Sequence, residues 1–98
     1  AMPDAAGVPA GRVVAYFSSS HCGNCRSVSP LIDALEQQGQ AVARFNTEDS
    51  VDTARALGIR VVPTVALVND AIIVRILAGD RARKVGKLTE ADWQPDAE

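Results

Sequence analysis

The sequence has only two cysteines and a single histidine among its 98 residues. Two cysteines are too few for a disulfide framework, so none of the small disulfide-stapled scaffolds applies. A structural zinc site takes about four ligands, and two cysteines with one histidine supply three at most without a carboxylate. Zinc would need a partner chain. Long apolar runs are missing too. The longest, Val61 to Val68, contains Pro63 and Thr64 and is far too short to cross a bilayer. No charged stretch followed by an apolar one opens the chain, so no secretory leader is visible and the expected location is cytoplasmic. The opening Ala-Met reads as a cloning remnant. Charge of one sign is also scarce: 10 basic and 12 acidic residues are mixed along the chain for a net −2. That balance excludes a basic nucleic-acid stripe and a polybasic membrane patch. What is present is apolar material at 47% against 22% charged, enough for one globular domain with its own core.

Residues 1–11 (AMPDAAGVPAG) show no periodicity and are expected to form a flexible arm ahead of a single domain over 12–98. Arg12 to Ser18, RVVAYFS, is a β-branched and aromatic run that predicts a buried strand. Val28, Leu31, Ile32 and Leu35 then recur at helical spacing, and the helix should stop near Gly39 with a kink at Pro30. Ala41 to Thr47 predicts a second strand. Asp49 or Ser50 would cap a short helix carrying Val51, Ala54 and Leu57, ended by Gly58. TVALV (Thr64 to Val68), the pair Asn69-Asp70 and AIIVRILA (Ala71 to Ala78) form a hairpin signal, because Asn and Asp tolerate the positive φ of a two-residue turn. From Asp80 to Trp93 the pattern allows one helix weakened by Gly86, or a shorter helix opened by the capping-box sequence Thr89-Glu90-Ala91-Asp92. A strand–helix–strand step implies a parallel crossover and the hairpin adds antiparallel strands. The expected fold is therefore an α/β sandwich with a mixed sheet covered by helices.

Both cysteines lie in SSSHCGNCR, Ser18 to Arg26, with C-x-x-C spacing. Such a pair can be a redox couple, half of a metal site or an inert clip. Its position, after an apolar strand and at the start of an amphipathic helix, favours the first. The opening turn of a helix presents unpaired N–H groups and the positive end of the macrodipole, which stabilise an anion. Cys22 is therefore expected to be the lowered-pKa nucleophile, with Cys25 one turn in and shielded. Positions i and i+3 face each other, so a disulfide can close with little motion. Gly23 keeps the approach to Cys22 open.

With VVAYFSSSHCGNCR, Pro30, ARFNTED and GIRVVPT in this order, the chain resembles the thioredoxin family over about residues 12–79. The resemblance implies a thioredoxin-like fold, a mixed four-stranded central sheet flanked by helices. It implies a thiol–disulfide oxidoreductase that exchanges disulfides with protein substrates through Cys22 and Cys25, in electron transport and cell redox homeostasis. It also implies a cis peptide bond before Pro63, pairing of the Val62 backbone with an extended substrate segment, and a role for Gly79 in leaving room beside the cysteines. No cofactor is implied beyond the Cys22–Cys25 disulfide, and no metal. The expected partners are protein disulfides or dithiols and a reductase or oxidant, with no nucleic acid and no membrane, and the chain acting as a monomer or weak dimer.

The departures from the family pattern matter as much. The flanks of the pair are His21, Asn24 and Arg26 where thioredoxins typically read W-C-G-P-C-K. His21 either supports the Cys22 thiolate or is a solvent-facing residue. Asn24 restores a backbone N–H and adds an amide, either of which could donate to Cys22 and make the couple more oxidising. Tyr16 stands at the family's buried aspartate, and Arg44 at the neighbouring lysine, a cation kept without its partner. Those losses, with the missing first strand, support the competing reading of a binding or adaptor domain with little turnover. A glutaredoxin-like glutathione enzyme is a third possibility, which GIRVVPT argues against. Arg26 and Arg60 read as surface residues and Trp93 as a tail anchor.

Overall fold

The computed structural model describes residues 11–20, 22–70 and 72–94. The arm expected over 1–11 therefore lies outside the described residues except at Gly11, and so does His21. Gly11 itself is tied down: its N–H donates to Asp70 Oδ1 at 3.0 Å, and its carbonyl accepts from the Asp70 N–H at 2.9 Å.

The sheet contains β1 (Arg12–Ser18), β2 (Ala41–Asn46), β3 (Thr64–Asn69) and β4 (Ile72–Ala78), in the spatial order β2-β1-β3-β4. β1 runs parallel to β2 and antiparallel to β3, which pairs antiparallel with β4. Helix α1 (Cys25–Gln37) makes the crossover from β1 to β2, and α2 (Val51–Ala56) follows β2. This is the mixed four-stranded sheet that the pattern of elements predicts. The hairpin turn is where expected, with Asp70 taking the left-handed conformation at φ 53°.

β1 reads as an unbroken apolar run because both of its faces are covered. Val14 and Tyr16 point to one face, where they meet Val28 and Ile32 of α1 together with Val65, Leu67, Val85 and Trp93. Val13, Ala15 and Phe17 point to the other, against Ala54 of α2, Leu57 just after it, and Ala66 and Val68 of β3. There Phe17 stacks on Phe45 with ring centroids 4.9 Å apart.

The hydrogen-bonded helix runs through Pro30 to Gln37, and the missing N–H of Pro30 removes the bond to Arg26. Two local expectations change. Ser50 occupies the cap position of α2 but its side chain makes no capping bond. The tail is two 3-10 segments, Gly79–Lys87 and Glu90–Trp93, instead of one α-helix. The capping box is real: Asp92 Oδ2 accepts from the Thr89 N–H at 2.8 Å and pairs with its hydroxyl at 3.1 Å. Gly86 explains the tail's closeness to α1, since a Cβ there would sit 3.1 Å from a methyl of Leu31.

Candidate functional site

The sulfurs of Cys22 and Cys25 are joined, with their Cα atoms 5.4 Å apart. The helix begins later than the spacing suggested. α1 opens at Cys25, so Cys22 lies three residues ahead of it in a turn closed by its own N–H to the Ser19 carbonyl at 3.3 Å. Asn24 occupies the cap position, with no capping bond from its side chain. The two cysteines thus differ in setting. Cys22 is partly exposed, whereas Cys25 is 6% exposed and packed into the core beside Tyr16 and Val28.

The N–H aimed at Cys22 Sγ belongs to Cys25, at 3.1 Å. Asn24, the residue expected to make such a donation, is exposed and instead offers its carbonyl to the Ser27 hydroxyl at 2.8 Å. A Cβ added to Gly23 would meet nothing within 4 Å, so the approach to Cys22 is open.

Tyr16 is buried beneath the pair. Its hydroxyl donates to the Cys25 carbonyl at 3.3 Å and lies 3.0 Å from Ser29 Oγ. A neutral phenol thus holds the first turn of α1 from below. Arg44, kept without the family's aspartate, bonds Asp33 and Glu36 of α1 instead, each at 2.9 Å. Those bonds, Glu36 first, raise its pKa above the ordinary arginine value. Register explains those partners, because Arg44 sits opposite Tyr16 on an edge strand but exposed, and reaches outward to the helix surface.

The segment that leads into β3 runs from Val61 to Thr64. The Val62–Pro63 peptide bond is cis. The Thr64 hydroxyl donates to the Val61 carbonyl at 2.7 Å, and the Gly79 N–H donates to the Pro63 carbonyl at 2.8 Å. Gly79 has a φ of +61°, a conformation that glycine adopts without strain, while a Cβ there would meet nothing within 4 Å. Within the fold, that backbone shape aims its N–H at Pro63. Val62 and Cys22 both pack against the core cluster that contains Cys25.

Two participants escaped the sequence reading. Glu48 accepts from both the N–H and the hydroxyl of Ser20, at 2.8 and 2.6 Å, pinning the loop two residues before Cys22. Ser29 partners Tyr16. No spacing rule marks either, because both contacts join segments distant in sequence. Among the described residues no group of His, Cys, Asp and Glu is placed to hold a metal ion.

Set against known proteins, residues 6–90 match the family profile described as Thioredoxin. The chain is 33% identical over 70 residues to a thioredoxin of Synechocystis, a stretch covering 68% of this chain and 65% of that one. A thioredoxin of Porphyra purpurea is 36% identical over 58 residues, covering 56% of this chain and 54% of that one. The chain thus spans just under two-thirds of the first relative's length. Among solved structures, a mutant thioredoxin of Halobacterium salinarum superposes with a TM-score of 0.73 at 30% identity, covering 87% of this chain and 77% of that one. A thioredoxin of Fasciola hepatica shares the fold with a TM-score of 0.69 at 22% identity, covering 76% of this chain and 74% of that one.

Proposed function

This chain belongs to the thioredoxin family, and we propose that it is a thiol–disulfide oxidoreductase acting on protein disulfides, with Cys22 as nucleophile and Cys25 as resolving thiol. The observation that carries this reading is the asymmetry of the pair. Cys22 is open to the surface with the Cys25 N–H directed at its sulfur, and Cys25 is enclosed. A directed N–H at the start of a helix favours the thiolate, the form that attacks.

In the reduced protein, the Cys22 thiolate attacks one sulfur of a substrate disulfide. A mixed disulfide forms and the other substrate sulfur leaves as a thiolate. Cys25 then loses its proton and attacks Cys22 Sγ, expelling the second substrate thiolate and leaving the Cys22–Cys25 disulfide. Two electrons pass to the substrate, and a partner reductase restores the dithiol; run in reverse, the same steps oxidise a substrate dithiol. Neither the N–H nor the C=O of Val62 has a hydrogen-bond partner among the described residues. That supports pairing of its backbone with an extended substrate segment beside Pro63. Gly23 and Gly79 keep the approach clear, and His21 and Asn24 flank the pair as modulators of its potential.

The competing reading, a binding domain with little turnover, draws on Tyr16. Its phenol stands where the family pattern has a buried aspartate, so that carboxylate is missing beside Cys25. Insulin reduction separates the two. Turnover that disappears in Cys22→Ser supports the oxidoreductase; absence of cysteine-dependent turnover in the wild type, with partner binding intact, defeats it.

A further inference from the structure

A groove of about 450 Å³ opens between α2 and the segment leading to Pro63, with Val62 among the residues that line it. Its size falls in the range of ~300–1,000 Å³ typical of ligand clefts. Val51, Ile59 and Val61 supply apolar wall, and Arg55 and Arg60 stand at the rim. Val51 and Val61 are 46% and 50% exposed, two of the four large apolar side chains most open to water among the described residues. None of the lining residues is acidic. Arg12 and Arg44 are held in ion pairs, but among the described residues neither Arg55 nor Arg60 has one.

We propose that this groove docks an extended acidic segment of the protein partner, with apolar side chains lodged between Val51 and Val61 and carboxylates paired to Arg55 and Arg60. The role of the docked segment as substrate rests on the oxidoreductase reading; the groove and its charge do not. Complementarity selects this occupant. Two unpaired cations on a chain of net charge −2 favour anions locally, and an apolar wall is of no use to a bare inorganic anion. A second copy is disfavoured, because a two-fold contact through this patch would set its arginines against each other. Val62 lines the groove and, like Cys22, packs against the core cluster that contains Cys25; a seated segment would pass Val62 on its way to the pair. The groove would then discriminate substrates by residues several positions away from the disulfide itself.

The test uses two fluorescein-labelled peptides, identical except that one carries three glutamates where the other carries three lysines. Each has leucines between those positions and serine in place of cysteine, so binding is read without exchange. Exposed ion pairs are individually weak and are screened by salt. The glutamate peptide should bind at least fivefold more tightly at ~20 mM ionic strength, and the difference should fall below twofold at ~0.5 M. Arg55→Gln combined with Arg60→Gln should reduce the fivefold preference to below twofold, with an unchanged melting temperature showing that the fold is intact. Equal binding of the two peptides, or a preference that survives in the double variant, overturns the proposal. So does displacement of the glutamate peptide by equimolar inorganic phosphate, or self-association that blocks the groove. Turnover of hydroxyethyl disulfide by the wild type, measured alongside, reports on the oxidoreductase reading alone, since that substrate is uncharged and too small to span the groove.

Discussion

The chemistry of the pair depends on which N–H reaches Cys22. The C-x-x-C spacing and the strand before it made the pair legible in the sequence. The donor was not legible, because it depends on the residue at which α1 begins, and that residue is Cys25. Tyr16 was legible as a departure but not as a tie, since its partners, the Cys25 carbonyl and Ser29, are set by the packing of α1 on the sheet. Tyr16→Phe removes the hydroxyl and leaves the ring. Urea unfolding should show a loss of about 1 kcal/mol, the usual worth of such a bond. Ser29→Ala in the same background should cost less than it does alone, because the shared contact is already gone. Fully additive losses would show that the two hydroxyls do not interact.

At the scale of elements, strands were the best-read part. β1 and the β3–β4 hairpin follow directly from apolar runs and from Asn69-Asp70, whose side chains suit a turn. The tail was misread for a physical reason. Its inward residues Ala82 and Val85 fit a helical spacing, but Gly86 lets the segment press on Leu31 of α1 in a tighter 3-10 winding. Helical periodicity does not distinguish the two windings over so short a stretch. Gly86→Val should destabilise the protein by about 1–3 kcal/mol through overpacking. Leu31→Ala should recover part of that loss in the double variant by making room. A Gly86→Val variant as stable as wild type would mean that the tail can lift from α1 without cost.

Taken as a whole, the molecule ties its tail to the sheet through charge. The Arg12 guanidinium grips both carboxylate oxygens of Glu90 and lies 5.6 Å from the centre of the Trp93 ring. Asp92, buried, accepts from Thr89 and meets Lys84 Nζ at 3.0 Å and Arg75 Nε at 3.7 Å. The Thr89 N–H, then Lys84, hold the Asp92 carboxyl below its ordinary value of 3.8; the Arg12 bond likewise lowers Glu90. Since both are depressed in the folded state, the unfolded chain takes up these protons first. Their contribution is present above the ordinary carboxylate range and is lost as pH falls through the folded values. The melting temperature should therefore drop as pH is lowered below ~4, and Asp92→Asn should shrink that drop while lowering stability at neutral pH. An unchanged acid profile in Asp92→Asn would remove Asp92 from the account of acid sensitivity.

The most direct test of the proposed chemistry is alkylation of the reduced protein with limiting iodoacetamide across pH, with the modified cysteine located by mass spectrometry. Cys22 should react at least tenfold faster than Cys25, with a midpoint below the ~8.5 of a free thiol. Equal labelling of the two cysteines, faster labelling of Cys25, or a Cys22 midpoint at or above that of a free thiol would contradict the assignment of Cys22 as the activated nucleophile.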